Sequence, residues 1–256
     1  MENQNDVSEE FRRLGFRVPE AALRALLQQL TKARASPMET CEKFVALEWR
    51  ERESKNLKRR TRLATLGNFK LLDAFDWNHP KSIDRGLYEE LHGLDFIGKG
   101  ENVLLRGTSG LGKTMLAQNL GLAALTRGRT VLFTTLSSAL ADLLKQESIP
   151  AFERRLRRYL TPELLVLDEI GYVPCDSRSA DLLYNIISRR HERRSTVIST
   201  NLPFKQWGAI FPGAASVVAL VDRFVQHCHV LDIEGESWRQ KEPPATPSTK
   251  SRKPKH

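Results

Sequence analysis

Residues 102–126 read NVLLRGTSGLGKTMLAQNLGLAALT, and this stretch decides the fold. Val103, Leu104 and Leu105 form a short apolar run rich in branched side chains, the signature of a buried strand. Met115, Leu116, Leu120, Ala123 and Ala124 mark an apolar helix further on. Between them Gly107, Thr108, Ser109, Gly110, Leu111, Gly112, Lys113 and Thr114 satisfy G-x-x-x-x-G-K-[ST] at each fixed position. Glycines let such a loop turn tightly and aim successive N–H groups inward, and the helix N-terminus adds positive potential, so a polyphosphate is accommodated. The motif puts Lys113 on the β and γ phosphates of ATP and Thr114 on Mg²⁺. A glycine turn before an ordinary helix is the alternative, and the strand-loop-helix context argues against it.

Outward from the loop, Val131–Phe133, Leu164–Leu167 and Val197–Ile198 are further buried-strand runs with helical stretches between them. Alternating strands and helices predict an α/β fold, a parallel sheet covered on both faces. Leu164–Leu167 run straight into Asp168 and Glu169. Paired with the upstream loop, these acids read as a second half-site, Asp168 holding Mg²⁺ through water and Glu169 polarising an attacking water. Read alone, either acid can simply cap the next turn. Thr200 and Asn201 end the next strand, where a polar side chain can reach a γ-phosphate or make an Asx turn before Pro203. Periodicity singles out no particular arginine near the end of the chain.

Upstream, Pro19 can open a helix with Leu23, Leu26, Leu27 and Leu30 on one stripe. Ser36, Pro37 and Glu39 form a second N-terminal signal, followed by Cys41, Phe44 and Val45 on a shared face. Along that helix Glu48 can meet Arg52 and Glu51 can meet Lys55. Lys55, Lys58, Arg59, Arg60 and Arg62 then follow without an acid, as a solvated face or a phosphate-tracking one. Trp49 in this region reads as core. Residues 67–100 read as a linker and one short helix, and the tail from 241 to 256 has almost nothing to bury, so disorder is expected there. The resulting division is a helical domain over 1–66, an ATPase domain over 67–240 and a basic tail.

Forty Lys and Arg against 31 Asp and Glu give a net charge of +9, which favours polyanionic partners. No apolar stretch is long enough to span a bilayer, and MENQNDVSEE lacks the apolar core of a signal peptide, so no membrane association and a cytoplasmic location are expected. Cys41, Cys175 and Cys228 are too scattered for a disulfide framework or a zinc site and read as partly buried thiols.

The order LDFIGKGENVLLRGTSGLGKTMLAQNLGLAAL, LLVLDEIGY, YNIISRRHERRSTVISTNLPF and VDR resembles the IstB-like ATP-binding proteins, AAA+ ATPases that help insertion-sequence transposition and are close to bacterial helicase loaders. The resemblance covers roughly residues 40–240. It implies that Gly107–Thr114 is the Walker A loop, Asp168 and Glu169 the Walker B acids and Asn201 the sensor-1 residue. It further implies that Arg223, in VDR, is an arginine finger for a neighbouring subunit and that Arg239, in SWR, is a sensor-2 arginine acting within its own subunit. The loop reads TSGLG where relatives often have PPGTG, a change that leaves Lys113 and the backbone cradle intact. The family implies homo-oligomerisation on double-stranded DNA and recruitment or stimulation of a transposase. Lys55–Arg62, then Arg154, Arg155, Arg157 and Arg158, then Arg189, Arg190, Arg193 and Arg194 are the candidate phosphate contacts, with little sequence preference and a steep salt dependence expected. A helicase loader of the same fold and a nucleotide-gated DNA-binding scaffold with little turnover are the competing readings.

Overall fold

The computed structural model describes residues 7–171, 176–211 and 215–238 of the 256-residue chain. The chain divides into two compact units, Met1–Arg62 and Leu63–His256.

The first unit contains helices α1 (Val7–Arg13), α2 (Glu20–Lys32) and most of α3 (Pro37–Ala64). Ser36 caps α3, its hydroxyl accepting from Glu39 N at 3.2 Å. The stripe of α2 buries Leu23 and Leu30 and leaves Leu27 at the surface. Phe11 packs edge-on against Phe16 and stacks with Phe44. Glu48 anchors the connection between α1 and α2, accepting from Arg17 N at 2.8 Å and Val18 N at 3.2 Å. Burial alone raises the Glu48 carboxyl, but hydrogen bonds from Arg52 and these two amides outweigh it and hold the group below its ordinary range. Both expected helical pairs form, Glu48 with Arg52 at 2.5 Å and Glu51 with Lys55 at 3.3 Å. The inward face of α3 is thus centred on Glu48, and two expectations fail as a result. Trp49, read as core, is 68% exposed, and the face of Cys41 and Val45 is open to solvent.

In the second unit a six-stranded sheet has the order β1-β6-β2-β5-β4-β3. Its strands are β1 (Ser82–Ile83), β2 (Asn102–Gly107), β3 (Val131–Thr135), β4 (Leu164–Ile170), β5 (Ser195–Thr200) and β6 (Cys228–Glu234). All neighbours are parallel except β1 against β6. The four expected strand runs are the centres of β2 to β5. The helices are α4 (Arg85–His92), α5 (Asp95–Lys99), α6 (Lys113–Thr126), α7 (Leu136–Leu144), α8 (Ile149–Leu160), α9 (Ser177–Arg190), α10 (Trp207–Ile210) and α11 (Ser216–Val225).

Side chains alternate across each strand, so Leu104, Leu165, Leu167 and Ile198 share one core with α7 to α11. Val103, Leu105, Val166 and Val197 are equally buried on the other face. The near-continuous apolar runs of β2 and β4 follow from this double coverage.

Two features depart from the sequence reading. Residues 67–100 hold a 3-10 turn at Leu72–Ala74, the short β1 and two helices, because Asp84 caps α4 through Leu87 N and Leu94 turns left-handed (φ 69°) before α5. Strand β6 was not anticipated. Only Leu231 and Ile233 of its seven residues are buried, so it carries alternation rather than an apolar run. Of the cysteines, Cys41 is exposed, Cys228 is half-buried and Cys175 lies outside the described residues, as does the tail from 241 to 256. No helix among the described residues is long and apolar enough to cross a membrane.

Candidate nucleotide site

Strand β2 delivers Gly107 to the carboxyl edge of the sheet, where open α/β sheets hold ligands. At its glycines the loop that follows has no room for a side chain. A Cβ on Gly107 would lie 2.3 Å from the Ile233 carbonyl oxygen, and one on Gly112 would lie 2.6 Å from the Phe75 ring. Gly112 is also left-handed (φ 83°) and is the cap of α6, offering no side-chain acceptor to the first-turn amides. Those amides suit an anion. Lys113 is 6% exposed, and its Nζ donates to the carbonyls of Gly107 at 2.6 Å and Thr108 at 2.7 Å.

Asp168 projects from β4 toward the start of α6 and is 2% exposed. Its Oδ2 accepts from Thr114 Oγ1 at 2.8 Å, and its Oδ1 accepts a short bond from Ser199 Oγ. A buried carboxylate and a hydroxyl facing one another form a hard-oxygen pair, which fits the donor preference of Mg²⁺.

Glu169 reaches the cleft by a different device. Leu167 pairs with Ile198 and Ile170 with Thr200, so Asp168 and Glu169 together stand opposite Ser199 alone. This is a β-bulge. Glu169 takes a left-handed conformation (φ 63°), which costs a non-glycine residue about 1–2 kcal/mol, and its side chain emerges into solvent at the cleft wall. Glu169 N, displaced from the ladder, donates to Ser199 Oγ at 3.0 Å.

Thr200 and Asn201 differ in their surroundings. Thr200 makes the turn, its Oγ1 accepting from Leu202 N at 3.1 Å and donating to the Ile170 carbonyl at 2.8 Å. Asn201 Oδ1 is buried without a hydrogen-bond partner among the described residues, against Gly171 just after the two acids.

A cleft of about 640 Å³ lies over the loop, a size that suits a nucleotide. The loop from Ser109 to Thr114, Met115, Gln118, Glu169 and Ser199 line one side. Asn68, Phe69, Lys70, Phe75, His79 and Trp238 line the rest. Trp238 N donates to the Gly110 carbonyl at 3.0 Å, and His79 Nε2 donates to the Glu236 carbonyl at 2.9 Å. Sequence reading missed Ser199, Phe75, His79 and Trp238. Ser199 alone left a signal, a polar residue in the strand facing the acids.

The remaining candidates lie elsewhere. Arg223 does not line the cleft. It donates to Tyr184 Oη at 2.7 Å, makes a short bond to Ser188 Oγ and sits 5.0 Å from the Tyr184 ring centroid, all on α9. Arg239 lies outside the described residues. Arg190 is overturned as a phosphate contact: it is 1% exposed, and its guanidinium donates to Thr196 Oγ1 and to the carbonyls of Tyr159, Pro162 and Ser195. Arg155 is committed to Asp142 by two bonds of 2.5 and 2.6 Å, Arg189 to Glu153 at 3.0 Å and Arg60 to Glu53 at 2.6 Å. Lys58, Arg59, Arg62, Arg154, Arg157, Arg158, Arg193 and Arg194 are exposed.

The parallel sheet with its glycine loop, α6 and two strand-end acids has the fold of a P-loop nucleotide-binding domain. DnaI matches over 65% of this chain and 89% of its own, at TM-score 0.52 and 18% identity. The replication initiator DnaA bound to AMPPCP and single-stranded DNA matches over 64% and 52%, at TM-score 0.51 and 17% identity. The family model of IstB-like ATP binding proteins matches residues 10–245, and the chain belongs to that family. It is 36% identical to the IS21 insertion-sequence ATP-binding protein of Pseudomonas aeruginosa, over 85% of this chain and 82% of the relative. The corresponding IS5376 protein of Geobacillus stearothermophilus is 32% identical over 75% and 76%.

Proposed function

We propose that this protein is an ATPase that assembles on double-stranded DNA and serves a transposase during insertion-sequence transposition. The observation that carries hydrolysis is the bulge that delivers the Glu169 carboxylate to the cleft wall beside the Thr114–Asp168 pair. A nucleotide-gated scaffold has no need of that strained carboxylate. On this reading Lys113 and the loop amides hold the β and γ phosphates, Thr114 and Asp168 hold Mg²⁺, and Glu169 accepts the proton of the attacking water. Mg²⁺ supplies charge neutralisation of the phosphoryl oxygens. Asn201 Oδ1, buried and without a partner among the described residues, suits a contact that forms only with nucleotide or its water in place.

Arg223 is the proposed finger for a neighbouring subunit, and Arg239 the proposed sensor within its own. For DNA, exposed Lys58, Arg59 and Arg62 on α3 and Arg154, Arg157 and Arg158 on α8 favour phosphate contact. Lys55, Arg60, Arg155 and, at 4.0 Å, Arg158 have carboxylate partners that such a contact must displace. The transposase is proposed as partner on the insertion-sequence names of the relatives. A helicase loader is the rival; capture of the replicative helicase and not the transposase in a pull-down overturns the choice.

Hydrolysis is tested by phosphate release with and without duplex DNA. Glu169→Gln should lower the rate by about 10²-fold or more, as for loss of a general base, while nucleotide still binds. Equal release by wild type and variant in both conditions removes the hydrolase reading.

A further inference from the structure

Among the described residues, the side-chain hydrogen bonds that tie the two acids to strand β5 pass through one hydroxyl. Ser199 is 1% exposed and is the single residue opposite the bulge of Asp168 and Glu169. A serine hydroxyl has one proton to donate and lone pairs to accept with. Here the proton goes to Asp168 Oδ1 and a lone pair takes the Glu169 N–H at 3.0 Å. The other Asp168 oxygen is met by Thr114 from α6. The Asp168 carboxylate is therefore held from both sides, and the backbone of Glu169 is tied at the residue whose left-handed turn aims its side chain. An apolar residue at 199 would leave a part-buried amide without this acceptor and a buried carboxylate oxygen without this donor.

We propose that Ser199 is the positioning residue for both acids, fixing Asp168 for Mg²⁺ and Glu169 for water with the same oxygen. The inference rests on the proposed roles of those two acids.

The test measures binding of a fluorescent ATP analogue in Mg²⁺ and in EDTA, alongside single-turnover phosphate release. Variants are Ser199→Ala, Ser199→Thr, Asp168→Ala and Tyr88→Phe. Tyr88 is a control outside the cleft lining: its buried hydroxyl donates to the Leu116 carbonyl at 3.0 Å. Ser199→Ala should bind the analogue in EDTA within about twofold of wild type, lose at least about fivefold of the gain that Mg²⁺ confers, and release phosphate more than about tenfold slower. Ser199→Thr, which keeps the hydroxyl, should recover most of both. Tyr88→Phe should lower Tm without changing the Mg²⁺ gain.

The proposal is overturned if Ser199→Ala keeps the wild-type Mg²⁺ gain, or if its affinity falls equally in Mg²⁺ and EDTA as a general structural loss would dictate. An unchanged gain in Asp168→Ala removes the metal role of Asp168 itself and the proposal with it. Absence of release from wild type removes only the hydrolytic reading, and the Mg²⁺ comparison still decides the role of Ser199.

Discussion

Lys113 is folded back over its own loop, with the Gly107 and Thr108 carbonyls as acceptors. A polyphosphate offers the same ammonium stronger, charge-assisted bonds, so nucleotide binding exchanges neutral acceptors for anionic ones. Lys113→Ala should weaken ATP binding by at least about tenfold, equivalent to ~1.4 kcal/mol. A fluorescent-nucleotide titration checks this, and unchanged affinity contradicts the cradle assignment. Glu169 is a contrast in kind. Its position is set by backbone geometry and by Ser199, whereas that of Lys113 is set by helix α6. The two acids look alike in sequence and differ in structure, Asp168 being buried and Glu169 left-handed and exposed.

Helices α7 and α8 are joined by a cluster centred on Asp142, which accepts from Arg155 twice and from Tyr159 Oη at 2.5 Å. The Arg155 hydrogen bonds lower the Asp142 carboxyl below its ordinary value of 3.8; burial opposes them, and the Tyr159 bond helps them. A carboxyl lowered in the folded state stabilises the fold above its unfolded pKa and loses that contribution as pH falls through the folded value. Asp142→Asn should therefore cost about 1–2 kcal/mol near pH 7, a modest figure because Arg155 is 40% exposed. The gap from wild type should close as pH drops below 3.8, and urea unfolding across that range measures it.

The same elements show what the sequence could disclose. Strands β2 to β5 were legible because burial on both faces forces continuous apolar runs, and the loop was legible because its glycines are sterically required. Strand β6 was hidden by its alternation. Trp49 was misread because apolar character does not report which face of a long helix turns inward. Arg190 was misread because a buried guanidinium that satisfies carbonyls looks the same, in sequence, as an exposed one. The bulge at Glu169 had no sequence signal, since it is a property of pairing between two strands.

Across the whole molecule, half of the proposed site is displaced from the cleft. Arg223 is held by Tyr184 and Ser188 on α9, so its proposed target is the cleft of another copy. Mixing Arg223→Ala with Glu169→Gln subunits should restore part of the lost phosphate release, because some interfaces then combine an intact finger with an intact glutamate. Mixed oligomers verified by mass that show no rescue exclude the trans role. The strained turn at Glu169 also bears on how such a sequence persists. Of two inactive substitutions, Glu169→Gly should be more stable than Glu169→Ala by about 1 kcal/mol in chemical denaturation, since glycine accepts φ 63° without penalty. A population screened for folding alone would drift toward glycine at this position and lose the carboxylate, so folding by itself supplies no reason for a glutamate at this turn.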